Sequence, residues 1–171
     1  VVGYSIFKNK EILQISHTPQ IITHRDAQIE SVASVLAPAL RTERVSNLFV
    51  YGKTGSGKTL SVNYVTQELL KRIKDSGKEN LKIVYVNCKL KKVADTEYRL
   101  IAEIISQLGG NVPYTGLPTS EIYRVFFNMV DNEKKILIII LDEIDQLVEK
   151  SGDEILYSLT RVNSELKQSQ I

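Results

Sequence analysis

Apolar positions along the 171 residues follow two periods, one of strand type and one of helix type. Short unbroken apolar runs occur at NLFVY (47–51), KIVYVN (82–87) and KILIIIL (135–141), rich in β-branched residues and of strand length. Runs without polar alternation suit strands covered on both faces. Around them the spacing becomes helical. Ile29, Val32, Leu36, Ala39 and Leu40 mark a helix that a Thr23–Asp26 capping box would open and Pro38 would limit. Leu60, Tyr64, Val65, Leu69 and Ile73 form one face of a helix from about Lys58 to Asp75. Further helical patterns run over Glu97–Leu108 and Ser120–Val130, separated by the turn-rich GGNVPYTGLP, and a last one carries Ile155, Leu156, Leu159, Val162 and Leu166. Strands alternating with helices predict an α/β fold, a parallel sheet flanked by helices. Residues 1–22, with Pro19, read as an irregular segment ahead of a domain over 23–171.

Composition changes this picture little. With 43% hydrophobic and 25% charged residues the chain is of globular type, and disordered or collagen-like classes are excluded. Lys plus Arg of 22 against Asp plus Glu of 20 leaves net +2, too small to argue by itself for a nucleic-acid partner. The run ILIIIL (136–141) is too short to span a bilayer and the N-terminus shows no signal-peptide pattern, so no membrane partner and a cytoplasmic location are expected. The single Cys88 has no intrachain disulfide partner, and no Cys/His cluster has zinc spacing; a buried thiol at a strand end is expected. Val1 is not an initiator Met and no closing signal precedes Ile171, which suggests part of a longer chain.

Chemistry enters with GKTGSGKT (52–59), which matches G-x-x-x-x-G-K-[ST] between an expected strand and an expected helix. Gly52, Gly55 and Gly57 permit conformations or close approaches that a Cβ forbids. Backbone N–H groups of Lys53, Thr54, Gly55, Ser56, Gly57 and Lys58 would form a nest for phosphate oxygens, with Leu60 completing the binding run in the first helical turn. Lys58 would reach the β- and γ-phosphates and the Thr59 hydroxyl would ligate Mg²⁺, with ATP or ADP as the bound nucleotide. A second constellation, ILIIILDEID, puts Asp142 and Glu143 at the tip of a buried strand, where ligands of parallel sheets bind. Asp142 would hold Mg²⁺ through water, and Glu143 would polarise the attacking water. Asp145 reads as a surface or helix-capping acid. Lys89, Lys91, Lys92 and Arg99 are either a solvated face or contacts to a polyanion backbone.

These motifs, together with TPQIITHRDAQIESVASVLAPAL, VNC, LGGNVPYTGLPTSEIY and GDEILYSLTRVN, resemble the AAA+ ATPases and, more narrowly, the archaeal origin-recognition and cell-division-control initiators, over most of Thr18–Asn163. The resemblance implies a P-loop NTPase fold of AAA+ type that is incomplete as given. A fourth and a fifth strand, a helical lid and a winged helix would follow residue 171. It also implies that His24 and Arg25 sit near adenine and ribose, with Ile21 and Ile22 as apolar lining, and that Lys89–Gly116 occupies the place of an insertion that helps grip DNA. The implied function is an ATP-binding, slowly hydrolysing switch that binds double-stranded replication origins and helps recruit a helicase or other initiator subunits, associated with the nucleoid. Another AAA+ DNA-partnered ATPase, of transposition-helper or clamp-loader type, is an alternative, as are a small-molecule phosphotransferase and a nucleotide-binding module without turnover. In the implied strand order, 5-1-4-3-2, residues 48–51 have no neighbour within this sequence and do not pair with 136–141.

Overall fold

The computed structural model describes residues 22, 24–77, 80–89, 94, 96–131, 134–161, 163, 166–167 and 169–171. In chain order it contains α1 (Asp26–Leu36), a 3-10 turn (Ala37–Arg41), α2 (Lys58–Asp75), β1 (Leu81–Asn87), α3 (Glu97–Gln107), α4 (Thr119–Val130), β2 (Ile136–Asp142), α5 (Ile144–Ser151) and α6 (Glu154–Arg161). Among the described residues no helix is long and apolar enough to cross a membrane.

β1 and β2 pair in parallel, Leu81 opposite Ile136 through to Asn87 opposite Asp142. Their side chains alternate between two apolar clusters, which is why neither strand needs a polar face. Leu81, Ile136 and Ile138, with the half-buried Ile83 and Ile140, pack on Val32 and Leu36 of α1 and on Val65, Leu69 and Ile73 of α2. Val84, Val86 and Leu137 face the other way, onto Leu100, Ile101, Ile104 and Ile105 of α3, Ile122 and Phe126 of α4, Leu147 of α5 and Ile155 of α6. Large side chains buried this fully each stabilise the fold by about 1.5–3 kcal/mol relative to exposure. Register thus assigns odd positions of β1 and even positions of β2 to the α1–α2 face.

Several expectations are corrected. Residues 47–51 are not a buried strand: they have no strand assignment, and Phe49 is 73% and Tyr51 82% exposed. A strand needs a ladder neighbour, and among the described residues none reaches this run. The absence of a ladder between 48–51 and 136–141 agrees with the expected order. α1 starts at Asp26 with Arg25 as N-cap and no side-chain cap bond, whereas Thr23 lies outside the described residues. Pro38 does not stop the chain's coiling but continues it as the 3-10 turn, which ends at Thr42 with φ 60°. α6 ends at Arg161, so Leu166 packs on the core from outside any helix, and Val162 is not described. α5 was not anticipated.

The final residues run along the open edge of β2. Gln170 bridges Ile136 in parallel, the Leu137 N–H donating to the Gln170 carbonyl (2.8 Å) and the Gln170 N–H to the Lys135 carbonyl (3.0 Å). Asp131 fixes this approach by accepting the backbone N–H groups of Lys167 (3.0 Å) and Ser169 (3.1 Å). This contact is confined to the start of β2, at Ile136 and Leu137.

Candidate nucleotide site

The site is built where the loop from Gly52 enters the N-terminus of α2, beside the C-terminal ends of β1 and β2. Gly57 is the N-cap of α2 with φ 79°, and Gly55 has φ 77°, both left-handed conformations that a Cβ would strain. The loop from Gly52 therefore wraps tightly into the helix, where α2 turns its unpaired N–H groups outward. The Lys58 ammonium lies back across the loop and donates to the Gly52 (2.8 Å) and Lys53 (3.1 Å) carbonyls. Lys53, Thr54 and Gly55 are exposed, whereas Ser56, Thr59 and Leu60 are half-buried.

Thr59 and Asp142, 83 positions apart in sequence, meet through a bond from Thr59 Oγ1 to Asp142 Oδ2 of 2.9 Å. The same carboxylate oxygen accepts the Tyr85 hydroxyl at 2.6 Å, and Oδ1 accepts the Glu143 N–H at 3.0 Å. Burial first, then the hydrogen bond and charge of Asp142, push the Tyr85 phenol well above its ordinary value and keep it the donor. Glu143 follows in the left-handed region (φ 53°) as the N-cap of α5, an uncommon place for a residue with a side chain. Its Oε2 is 3.2 Å from Lys89 Nζ, in an exposed pair (65% and 41%) of the kind worth about 0–1 kcal/mol. Asp145 is exposed in the first turn of α5.

Of the other expected residues, Arg25 is brought to the loop, its Nε 3.6 Å from where a Cβ on Gly57 would sit. His24 is exposed at φ 59° and Ile22 is half-buried. Ile21, Lys91 and Lys92 lie outside the described residues. Lys89 is exposed and reaches the Glu143 carboxylate. Tyr85 was missed, although alternation along KIVYVN puts it on the face of Asn87, and only the register with β2 reveals Asp142 as its partner.

Cys88 is buried, as expected. Burial, then the charges of Asp142 and Asp145, push its thiol from 9.0 up to about 12. Its folded-state value is raised, so its contribution to stability is complete below pH 9.0 and is lost as pH rises towards 12. We expect no maleimide labelling of the folded chain at neutral pH and complete labelling in denaturant. Rapid labelling without denaturant would contradict the burial.

A glycine loop capping a helix, with a hydroxyl from that helix bonded to a strand-tip aspartate, defines a P-loop nucleotide-binding protein. The comparisons are more specific. The chain belongs to the AAA domain family, whose model matches residues 41–171. It is 48% identical over 170 residues to the ORC1-type DNA replication protein of Pyrococcus furiosus, covering 97% of this chain and 40% of that protein. With ORC1-type DNA replication protein 1 of Methanosarcina mazei the identity is 44%, over 99% of this chain and 40% of the relative. Among solved structures, Aeropyrum pernix ORC1 in complex with DNA superposes with a TM-score of 0.85 at 36% identity, over 95% of this chain and 42% of that one. CDC6P from Pyrobaculum aerophilum shares the fold, with a TM-score of 0.71 at 21% identity over 91% of this chain and 38% of that one. The resemblance to archaeal initiators read from the sequence therefore holds, and the chain spans about 40% of the length of the curated relatives it matches.

Proposed function

We propose that these residues are the nucleotide-binding part of an initiator ATPase that binds ATP, hydrolyses it slowly, and uses the cycle to control its hold on double-stranded origin DNA and its recruitment of a helicase or other initiator subunits. The observation that carries the site is the Thr59–Asp142 contact beside Lys58. The loop N–H groups of 53–58 would receive the phosphates, and Lys58 would exchange its bonds to the Gly52 and Lys53 carbonyls for β- and γ-phosphate oxygens. A hydroxyl next to a carboxylate is an all-oxygen donor set suited to Mg²⁺, which takes few protein ligands and completes its shell with phosphate and water. Thr59 and Asp142 would hold it there, and when bound it neutralises charge on the β- and γ-phosphates. On the resemblance, His24, Arg25, Ile21 and Ile22 would serve the nucleoside end, and the described contact of this group is Arg25 beside Gly57 of the loop.

Glu143 is the candidate base. It would accept a proton from water as the water oxygen bonds to the γ-phosphorus and the bridging oxygen leaves with ADP. The ion pair with Lys89 competes for that carboxylate, and its exposure makes the competition weak.

Relatives named ORC1-type DNA replication proteins, and an ORC1 neighbour solved with DNA, support the DNA half of the reading. The test is a titration of the complete protein with origin duplex across salt concentrations. Log affinity should fall linearly with log salt, by about 0.9 per phosphate neutralised. Because the pair of Lys89 with Glu143 is exposed and weak, it leaves Lys89 available to a phosphate, and Lys89→Ala should reduce that slope by up to about 0.9. An unchanged slope would leave Lys89 on a solvated face, and failure to bind origin duplex would overturn the initiator reading.

A further inference from the structure

We infer that Tyr85 is a positioning residue for Asp142 and sets how tightly the nucleotide site holds a divalent cation. The inference rests on the proposed metal role of Asp142. The parallel register places Tyr85 opposite Ile140 and Asn87 opposite Asp142, so the phenol lies on the α1–α2 face, one step down the sheet from the carboxylate. From there its hydroxyl donates to Asp142 Oδ2 at 2.6 Å, shorter than the 2.9 Å bond from Thr59 to the same atom. The Glu143 N–H holds Oδ1 at 3.0 Å.

A carboxylate has about four acceptor positions. Three donors arriving from β1, from α2 and from the chain just after β2 therefore fix its plane and leave about one lone pair for a cation or a water on that cation. Rotating the carboxylate would break all three bonds together. Thr59 and Glu143 both belong to the proposed reaction machinery. Tyr85 comes from a different strand and is free of that duty, which makes it the anchor that holds Asp142 while nucleotide enters and leaves. Groups that hydrogen-bond to metal ligands in this way typically change metal affinity by about 10–100-fold when removed.

Tyr85→Phe keeps the ring and its packing and deletes only the donor. In the complete protein, fluorescent ATP is titrated first in chelator, and Mn²⁺ or Mg²⁺ is then titrated into the nucleotide complex, with Mn²⁺ binding read by electron paramagnetic resonance. Affinity in chelator should be unchanged, and the cation concentration at half-saturation should rise about tenfold. An unchanged half-saturation, or an equal loss in chelator and in metal, would overturn the inference, the second outcome being that of a merely structural tyrosine. Asp142→Asn separates the two levels of the argument. If it raises the half-saturation and Tyr85→Phe does not, only the role of Tyr85 falls. If neither raises it, the metal role of Asp142 falls as well.

Discussion

Lys58→Ala should weaken ATP binding roughly ten- to a hundredfold, because it deletes a charge-assisted contact worth about 1.5–3 kcal/mol. The Lys58 ammonium lies back across the loop, held by the Gly52 and Lys53 carbonyls at 2.8 and 3.1 Å. Both bonds are exposed to water, so ATP binding would exchange neutral acceptors for charged ones, which hold an ammonium more strongly. The substitution also frees two carbonyls of the loop. Both are exposed and can take water, so the fold should melt at nearly the parental temperature. A nucleotide titration of the complete protein checks the prediction. Equal affinity in variant and parent would remove the phosphate site from this loop.

Local patterns made most of the helices and both paired strands readable, since the period of burial matches the period of apolar residues. α2 begins at Lys58 and ends at Asp75, as the spacing of Val65, Leu69 and Ile73 indicates. What failed depended on neighbours. Residues 47–51 have strand composition, yet a strand exists only with a partner, and among the described residues none pairs with them. α5 escaped notice although Ile144, Leu147 and Val148 stand at helical spacing, because it spans only eight residues directly behind the strand-tip acids. The site divides in the same way. Its glycines, Lys58, Thr59, Asp142 and Glu143 stand in contiguous motifs, so their chemistry was visible along the chain. The Tyr85–Asp142 and Lys89–Glu143 contacts join separate strand ends, and they required the register of β1 on β2.

Glu143→Gln should leave ATP binding close to normal and reduce hydrolysis by about 10²–10⁴-fold, the usual contribution of a positioned general base. The amide keeps the side chain's length and shape but cannot take the proton from water. Backbone geometry gives no reason for the variant to unfold: the left-handed conformation at φ 53° is no harder for Gln than for Glu, and the Glu143 N–H that holds Asp142 Oδ1 is untouched. The lost ion pair to Lys89 is exposed, so at most about 1 kcal/mol of stability goes with it. Asp142, Thr59 and Lys58 all remain, and these are the groups proposed to meet the phosphates and the cation. Binding and turnover should therefore separate in the complete protein, the first read by nucleotide titration and the second by phosphate release. Turnover at the parental rate would show that Glu143 is not the base. Loss of binding together with turnover would mean that the carboxylate shapes the site rather than acting on water.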